Sequence, residues 1–297
     1  MSAPVMFNRR LRKQEIVEWL NLVRNSTATG CIEQNLAYSF LQLPDTIAFV
    51  ASINDEIIGG TSIYRDRIRL GMVLSSVAIK EEYREISTFQ AIKTSLPFMK
   101  TVAIRDIDAV ITKSPDEKGI GFPASFELDF WMKSILEKIG FAPVGNIWSC
   151  ALENNDDLIA KPNGMPWDHE PNMEGAKQLI WAQSKAAGLT TSLIWTALDF
   201  ASKRGTLRTL SVNGSTRIAT SIDRVCDIVL VGLLAIDPEY STNSAVSHIA
   251  NELRREQQLS IHLPLVGEGQ QDFVKLLAEE LGATLKGRSL TLLRKKL

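Results

Sequence analysis

The sequence predicts an α/β fold: two tandem domains, each a mixed sheet covered by helices. Three features predict it. The chain has 297 residues, 45% of them apolar, which suffices for two cores and exceeds what one small domain needs. A strand-to-helix corner occurs twice, as VAIKEEYREIST (Val77 to Thr88) and LAIDPEYSTNSA (Leu234 to Ala245). Two further matches keep the same order in both halves, and a repeat of this kind decides architecture before any single motif does.

The matches stay in near-constant register. SINDEIIGGTSI (Ser52 to Ile63) lies over SVNGSTRIATSI (Ser211 to Ile222), an offset of 159 from Asn54 to Asn213. The corner repeats at an offset of 157 from Tyr83 to Tyr240, and LEKIGF faces AEELGA at an offset of 142 from Gly140 to Gly282. The shortfall falls where the first half carries KSPDEKGIGFPASF, Lys113 to Phe126, an aperiodic segment with Gly and Pro that reads as an inserted loop. The domains are therefore expected at 1–152 and 173–297. Between them, 153–172 is polar, rich in proline and aperiodic, the composition of a linker.

Each element follows from local pattern. Ile16, Trp19, Leu20 and Val23 are spaced i, i+3, i+4, i+7, the stripe of an amphipathic helix. Two apolar runs around Asn54-Asp55 predict a hairpin, and Ile68 to Ile79 extends it into an antiparallel sheet. After the corner, Ser87-Thr88 stands as an N-cap for a helix that Pro97 kinks or breaks. IDAVIT is the next strand. FELDFWMKSILEKIGF is a helix stopped by Gly140, with Glu127 and Asp129 in its first turn, and APVGNIWSCALE reads as a closing strand pair. The second half repeats the plan with helices over Met173 to Ser202, a hairpin on Asn213-Gly214, a strand to Ile236 and a helix from about Ser244. LSIHLPL (strand), DFVKLLAEELG (helix) and SLTLLRKK (strand) complete it.

Charge and cysteine content exclude several function classes. A net charge of -1 supplies no basic field, which argues against nucleic acid and anionic membranes as partners. The N-terminus lacks the apolar core of a signal peptide and no apolar run approaches the roughly 18 residues a membrane span needs, so a cytoplasmic protein is expected. Cys31, Cys150 and Cys226, like His169, His248 and His262, are scattered without metal-ligand spacing, and no metal site is expected. GIGFP, Gly119 to Pro123, lacks the Lys-Ser/Thr of a phosphate loop and reads as a lid over a cleft or an ordinary surface loop.

The element order, the corner after the fourth strand and the helix ending in EKIGF resemble the GNAT superfamily of N-acetyltransferases, over both halves. The resemblance implies two tandem acetyltransferase-like domains that use acetyl-CoA or another acyl-CoA as substrate. A small-molecule or peptide amine would be the acceptor. In that family the corner's backbone amides grip the pyrophosphate at a helix N-terminus, where unpaired donors and the helix dipole favour an anion. Carried across, Arg84, Glu85, Ile86, Ser87 and Thr88 form the cofactor loop and Val77 and Ile79 pair with the pantetheine arm like an added strand. The family's glycines are missing here, with Glu85 and Phe89 among the replacements. Phe89, spaced from Ile86 and Ile92, is expected to turn inward.

Leu136 and Ala278 stand where the family places its tyrosine general acid, and neither can donate a proton. Glu127 and Asp129 are the candidate catalytic carboxylates, although acidic residues in a first helical turn serve the dipole equally well. Ser75 and Ser76, inside an apolar strand, mark either a bulge or a pair of buried, bonded serines. Phe126, Phe130 and Trp131 read as core packing. Two functions stay open: an acyltransferase with its cofactor in the first half, or a catalytically inactive shell kept for binding or assembly.

Overall fold

In a computed structural model of the chain, the structure describes residues 6–24, 34–66, 71–95, 105–117, 119–154, 166–225, 227–256 and 260–297. They form two compact units, Met1–Gly145 with Leu290–Leu297, and Asn146–Ser289. Pro97, Cys31, Cys226 and the 155–165 part of the expected linker lie outside the described residues. Among the described residues, no helix is long and apolar enough to cross a membrane.

In chain order the first half holds β1 (Met6–Arg10), α1 (Ile16–Arg24), α2 (Gln34–Leu41), β2 (Thr46–Ile53), β3 (Glu56–Asp66) and β4 (Gly71–Ile79). It continues with α3 (Arg84–Ser95), β5 (Asp106–Thr112), the short β6 (Glu127–Leu128), α4 (Lys133–Ile139) and β7 (Ala142–Asn154). The second half holds α5 (Met173–Ala187), α6 (Thr191–Arg204), β8 (Leu207–Val212), β9 (Ser215–Val225) and β10 (Ile228–Ile236). After these come α7 (Thr242–Arg255), β11 (Ser260–Val266), α8 (Gln271–Leu281) and β12 (Ala283–Lys296).

The first unit's sheet runs β1-β2-β3-β4-β5 and closes on the end of β12; the second runs β8-β9-β10-β11 and closes on β7. Each closing strand therefore comes from the other half of the sequence. Leu290 pairs with Thr112 and Lys296 with Asp106, while Glu153 pairs with Ser260. This overturns two expectations. APVGNIWSCALE is one strand rather than a pair, and the domain boundaries shift, so that 146–152 belongs with the second unit and 290–297 with the first. Neither Gly145 nor Gly287 takes the left-handed conformation that a tight turn uses, so each strand runs through its glycine unbroken.

The repeat is present in the strand register itself. In the first unit Ser62 pairs with Ser76 and Tyr64 with Val73, so one residue of β4 bulges at Ser75. In the second unit Ser221 pairs with Leu233 and Asp223 with Leu230, and β10 bulges at the repeat-equivalent place. The conserved spacing brings the same pair of side chains to each bulge. Ser62 Oγ lies 2.8 Å from Ser75 Oγ and 2.7 Å from Ser76 Oγ, and Ser221 Oγ accepts from the Leu233 amide at 2.9 Å. Thr61 Oγ1 meets Ser95 Oγ at 2.9 Å, and its counterpart Thr220 donates to the Leu233 carbonyl at 2.8 Å. Ser75 and Ser76 are thus both a bulge and a bonded, buried group.

Beyond each bulge the sheet splays. β4 and β5 run parallel and pair only from Gly71–Asp106 to Val73–Asp108; β10 and β11 pair only from Ile228–Ser260 to Leu230–His262. The hairpins fall where their turn residues place them, with positive φ at Asn54, Asp55, Asn213 and Gly214. α1 buries Trp19, Leu20 and Val23, and Gly140 and Gly282 end α4 and α8 in the left-handed conformation.

The segment expected to be a lid or surface loop is neither. Ile120 and Phe122 are buried, and the Phe122 ring meets Trp19 edge-on at 5.9 Å and Phe40 at 5.0 Å, while Phe126 packs on Phe40 at 5.4 Å. It returns as β6, which pairs in parallel with Val110 and Ile111 of β5. One edge of β5 is covered along its length by β12, so β6 occupies the other edge, inside the splay.

Candidate functional site

The candidate site lies at the end of β4, in the first unit. β4 is buried along its whole length, GMVLSSVAI, which makes it a central strand, and Thr61 of β3 pairs with Val77 on one edge. On the other edge no strand pairs beyond Val73 among the described residues. A cavity of about 370 Å3 opens there, lined by Val77 to Glu82, Arg84, Leu22 of α1, and Asp129 and Trp131.

Polar side chains at the cavity are tied to one another. The Lys80 amide donates to Ile58 O at 2.8 Å, ending the strand pair, and its ammonium is held by Glu56, a hydrogen bond that raises its pKa above the ordinary value. Arg84 lies with its guanidinium 4.9 Å from the centre of the Trp131 ring and Nη1 4.0 Å from Glu81 Oε1, and its buried Nε has no hydrogen-bond partner. Trp131 Nε1 donates to Asp129 Oδ2 at 3.2 Å. The guanidinium is thus stacked on an indole that a carboxylate orients.

Of the residues expected from sequence, Val77, Ile79, Arg84 and Asp129 meet at this cavity. Glu85 is exposed and does not line it, and Ser87 and Thr88 are buried on the inner face of α3. The side chain of Ile86 lies outside the described residues. Ser87-Thr88 is no N-cap either. A 3-10 turn, Glu81–Tyr83, precedes α3, and Thr88 Oγ1 donates back to Arg84 O at 2.7 Å inside the helix. The amides of Glu85 to Thr88 therefore sit within a helical run, and its open end is at Glu81 and Glu82, where Tyr83 N already bonds Lys80 O.

Glu127 is in β6 rather than in a first helical turn, and does not line the cavity. Asp129 does line it, with extended backbone ahead of the 3-10 turn Phe130–Met132. Leu136 is fully buried and Ala278 is 4% exposed, so both are core residues. Phe89 does not turn inward; it is half-buried with Lys93 Nζ 5.4 Å from its ring centre, because α3 buries Thr88, Ala91, Ile92 and Ser95 instead. Sequence pattern missed Lys80, Glu81, Glu82, Trp131 and Leu22 as cavity residues. The Trp131-Asp129 spacing is a weak signal that was available, and Leu22, one step off the apolar stripe of α1, carries none.

The second unit has a cavity of about 560 Å3 at its repeated corner, lined by Gln178, Asp237, Pro238 and Glu239 among others, and it does not reach Leu234 to Ile236. α7 begins at Thr242 with Ser241 as its N-cap, the Ser241 Oγ accepting from Ser244 N at 3.5 Å. Cys150 is buried, and desolvation pushes its thiol up to about 11, so it is an inert packing group.

No protein-family model and no curated protein matches the sequence, whereas solved structures match the fold over nearly the whole chain. A protein of Pyrococcus horikoshii provisionally named an acetyltransferase aligns at 13% identity with a TM-score of 0.67, covering 98% of this chain and 89% of its own. A tandem GNAT protein from the clavulanic acid biosynthesis pathway aligns at 11% identity and a TM-score of 0.65, covering 98% of both chains. A GCN5-related N-acetyltransferase from Sphaerobacter thermophilus aligns at 10% identity and 0.61, covering 98% and 95%. With a bulged, splayed sheet in each half and these neighbours across its length, the chain has the fold of a tandem GNAT acetyltransferase.

Proposed function

We propose that the first unit binds an acyl-CoA and transfers its acyl group, acetyl or longer, to the amine of a small molecule or peptide. One observation carries this. Among the described residues no strand pairs with the β4 edge beyond Val73, and a cavity lies along its Val77 to Ile79 stretch and reaches Arg84. A pantetheine arm adds to such an edge as a strand does, through main-chain groups of Val77 and Ile79. The unpartnered Nε of Arg84 and the amides of Glu81 and Glu82 are the donors at hand for the pyrophosphate. The solved acetyltransferases that share the fold support acyl transfer as the class of reaction.

In the reaction the amine nitrogen attacks the thioester carbonyl, and the N–C bond forms as the C–S bond breaks. Asp129, which lines the cavity, accepts the ammonium proton. Leu136 donates nothing, so coenzyme A departs as a thiolate and takes its proton from water. Titration calorimetry with acetyl-CoA tests binding: we expect saturable heat at one site, weakened about tenfold by Arg84→Ala. Absence of heat with millimolar ligand overturns the proposal.

A second function, binding or assembly without chemistry, is favoured by one observation. The carboxylates of Glu81 and Glu82 flank the open helix end where phosphate would sit, and like charges repel there. Absence of acetyl-CoA binding, together with no acyl transfer to any amine in a broad panel, is the outcome that selects it.

A further inference from the structure

The second unit has the same splayed corner, but a side chain crosses it. β10 and β11 part after Leu230 and His262. Gln270, at the end of the 3-10 turn Glu268–Gln270 that follows β11, reaches back with Nε2 donating to Leu234 O at 2.6 Å while its Oε1 accepts from Gly267 N at 3.0 Å. Leu234 is the repeat counterpart of Val77 at the corner's offset of 157. A carboxamide carries a donor and an acceptor side by side, the groups an amide-containing arm offers to a strand edge. The turn is backed rigidly. A Cβ on Gly267 would lie 1.8 Å from Ala187 O, and one on Gly188 would lie 3.2 Å from Glu268 N, so the end of α5 presses on it.

Among the described residues of the first unit, no side chain bonds the Val77 carbonyl in the way that Gln270 bonds Leu234 O. Residues after β5 return as β6, which pairs with β5 and not with β4, so among the described residues no strand pairs with β4 at Val77 to Ile79. We infer that Gln270 holds the second unit's cleft shut by occupying the strand-edge position that the first unit leaves open to the acyl-CoA arm, so that the chain takes up one acyl-CoA and not two. This rests on the proposed acyl-CoA site of the first unit, and it assigns the two units different tasks from one duplicated corner.

The test is a titration of the full-length, 15N-labelled protein with pantetheine, followed by amide resonances in each unit. In the wild type we expect shifts at Val77 to Ile79 and none at Leu234 to Ile236 or Gly267. In Gln270→Ala we expect additional, saturable shifts at Leu234 to Ile236 and Gly267. If the alanine variant does not fold, Gln270→Met keeps the length and removes the carboxamide. Wild-type shifts at Leu234 to Ile236, or a folded variant in which these amides stay unmoved through millimolar pantetheine, overturn the inference. Loss of the Val77 to Ile79 shifts alone counts against the first unit's site, because the variant's β10 amides report on the second cleft separately.

Discussion

Asp108 and Arg294 are 186 residues apart in sequence and form a two-pronged ion pair, Nε to Oδ1 at 2.7 Å and Nη2 to Oδ2 at 3.1 Å. Asp108 is 1% exposed on β5, and Arg294 comes from the last strand. The Lys295 ammonium adds a bond to Ile139 O at 2.9 Å, and Leu297 N one to Arg105 O at 3.0 Å. The first unit is therefore incomplete until β12 has been made.

Arg294→Ala leaves the Asp108 carboxylate buried without its partner, and we expect a loss of about 3–5 kcal/mol, read by urea denaturation. The double variant Asp108→Leu with Arg294→Leu should recover much of it, because the cost lies in the uncompensated charge. Equal losses in the single and double variants would show that the strand is held by its apolar residues alone.

The bulges should depend on Ser62 and Ser221. Ser62→Ala strands two buried hydroxyls, Ser75 and Ser76, and Ser221→Ala strands the Leu233 amide, so each is expected to cost about 1–3 kcal/mol. The two sites lie in different units and share no partner, so the losses should add in the double variant. A deviation beyond measurement error would link the units energetically.

Phe89→Ala should cost only about 1 kcal/mol, far below the 3–5 of a fully buried ring, because the side chain is half-exposed beneath Lys93. Acetyl-CoA affinity is expected to stay unchanged, since Phe89 does not line the cavity. Tighter binding by the variant would place the ring over the site.

Acid should loosen the first unit through Glu15. Two hydrogen bonds from the Arg9 guanidinium, at 2.7 and 2.5 Å, hold this carboxyl down from its ordinary 4.5 to about 2. A depressed carboxyl stabilises fully above its unfolded pKa, and the contribution fades as pH falls from about 4.5 toward 2. Glu15→Gln should flatten the fall in melting temperature over that window, and an unchanged slope would mean that other carboxyls carry it.

Sequence alone determined the elements whose cause is local. The stripe Ile16, Trp19, Leu20, Val23 made α1, the Asn54-Asp55 and Asn213-Gly214 turns made the hairpins, Gly140 and Gly282 ended their helices, and repeat spacing announced two similar halves. Periodicity and turn chemistry act over a few residues, so they can be read there. Val77, Ile79 and Arg84, which the family resemblance singles out, line one cavity at the repeated corner. Tertiary structure alone decided the exchange of β7 and β12, the entry of β6 into the splay, the stacking of Arg84 on Trp131 and the reach of Gln270 to Leu234. Each joins groups far apart in the chain, and a strand shows which face it buries without showing whose edge it will pair with. Backbone hydrogen bonds are alike in every strand, so the choice of partner is made by the packing of whole units and leaves no mark in the strand itself.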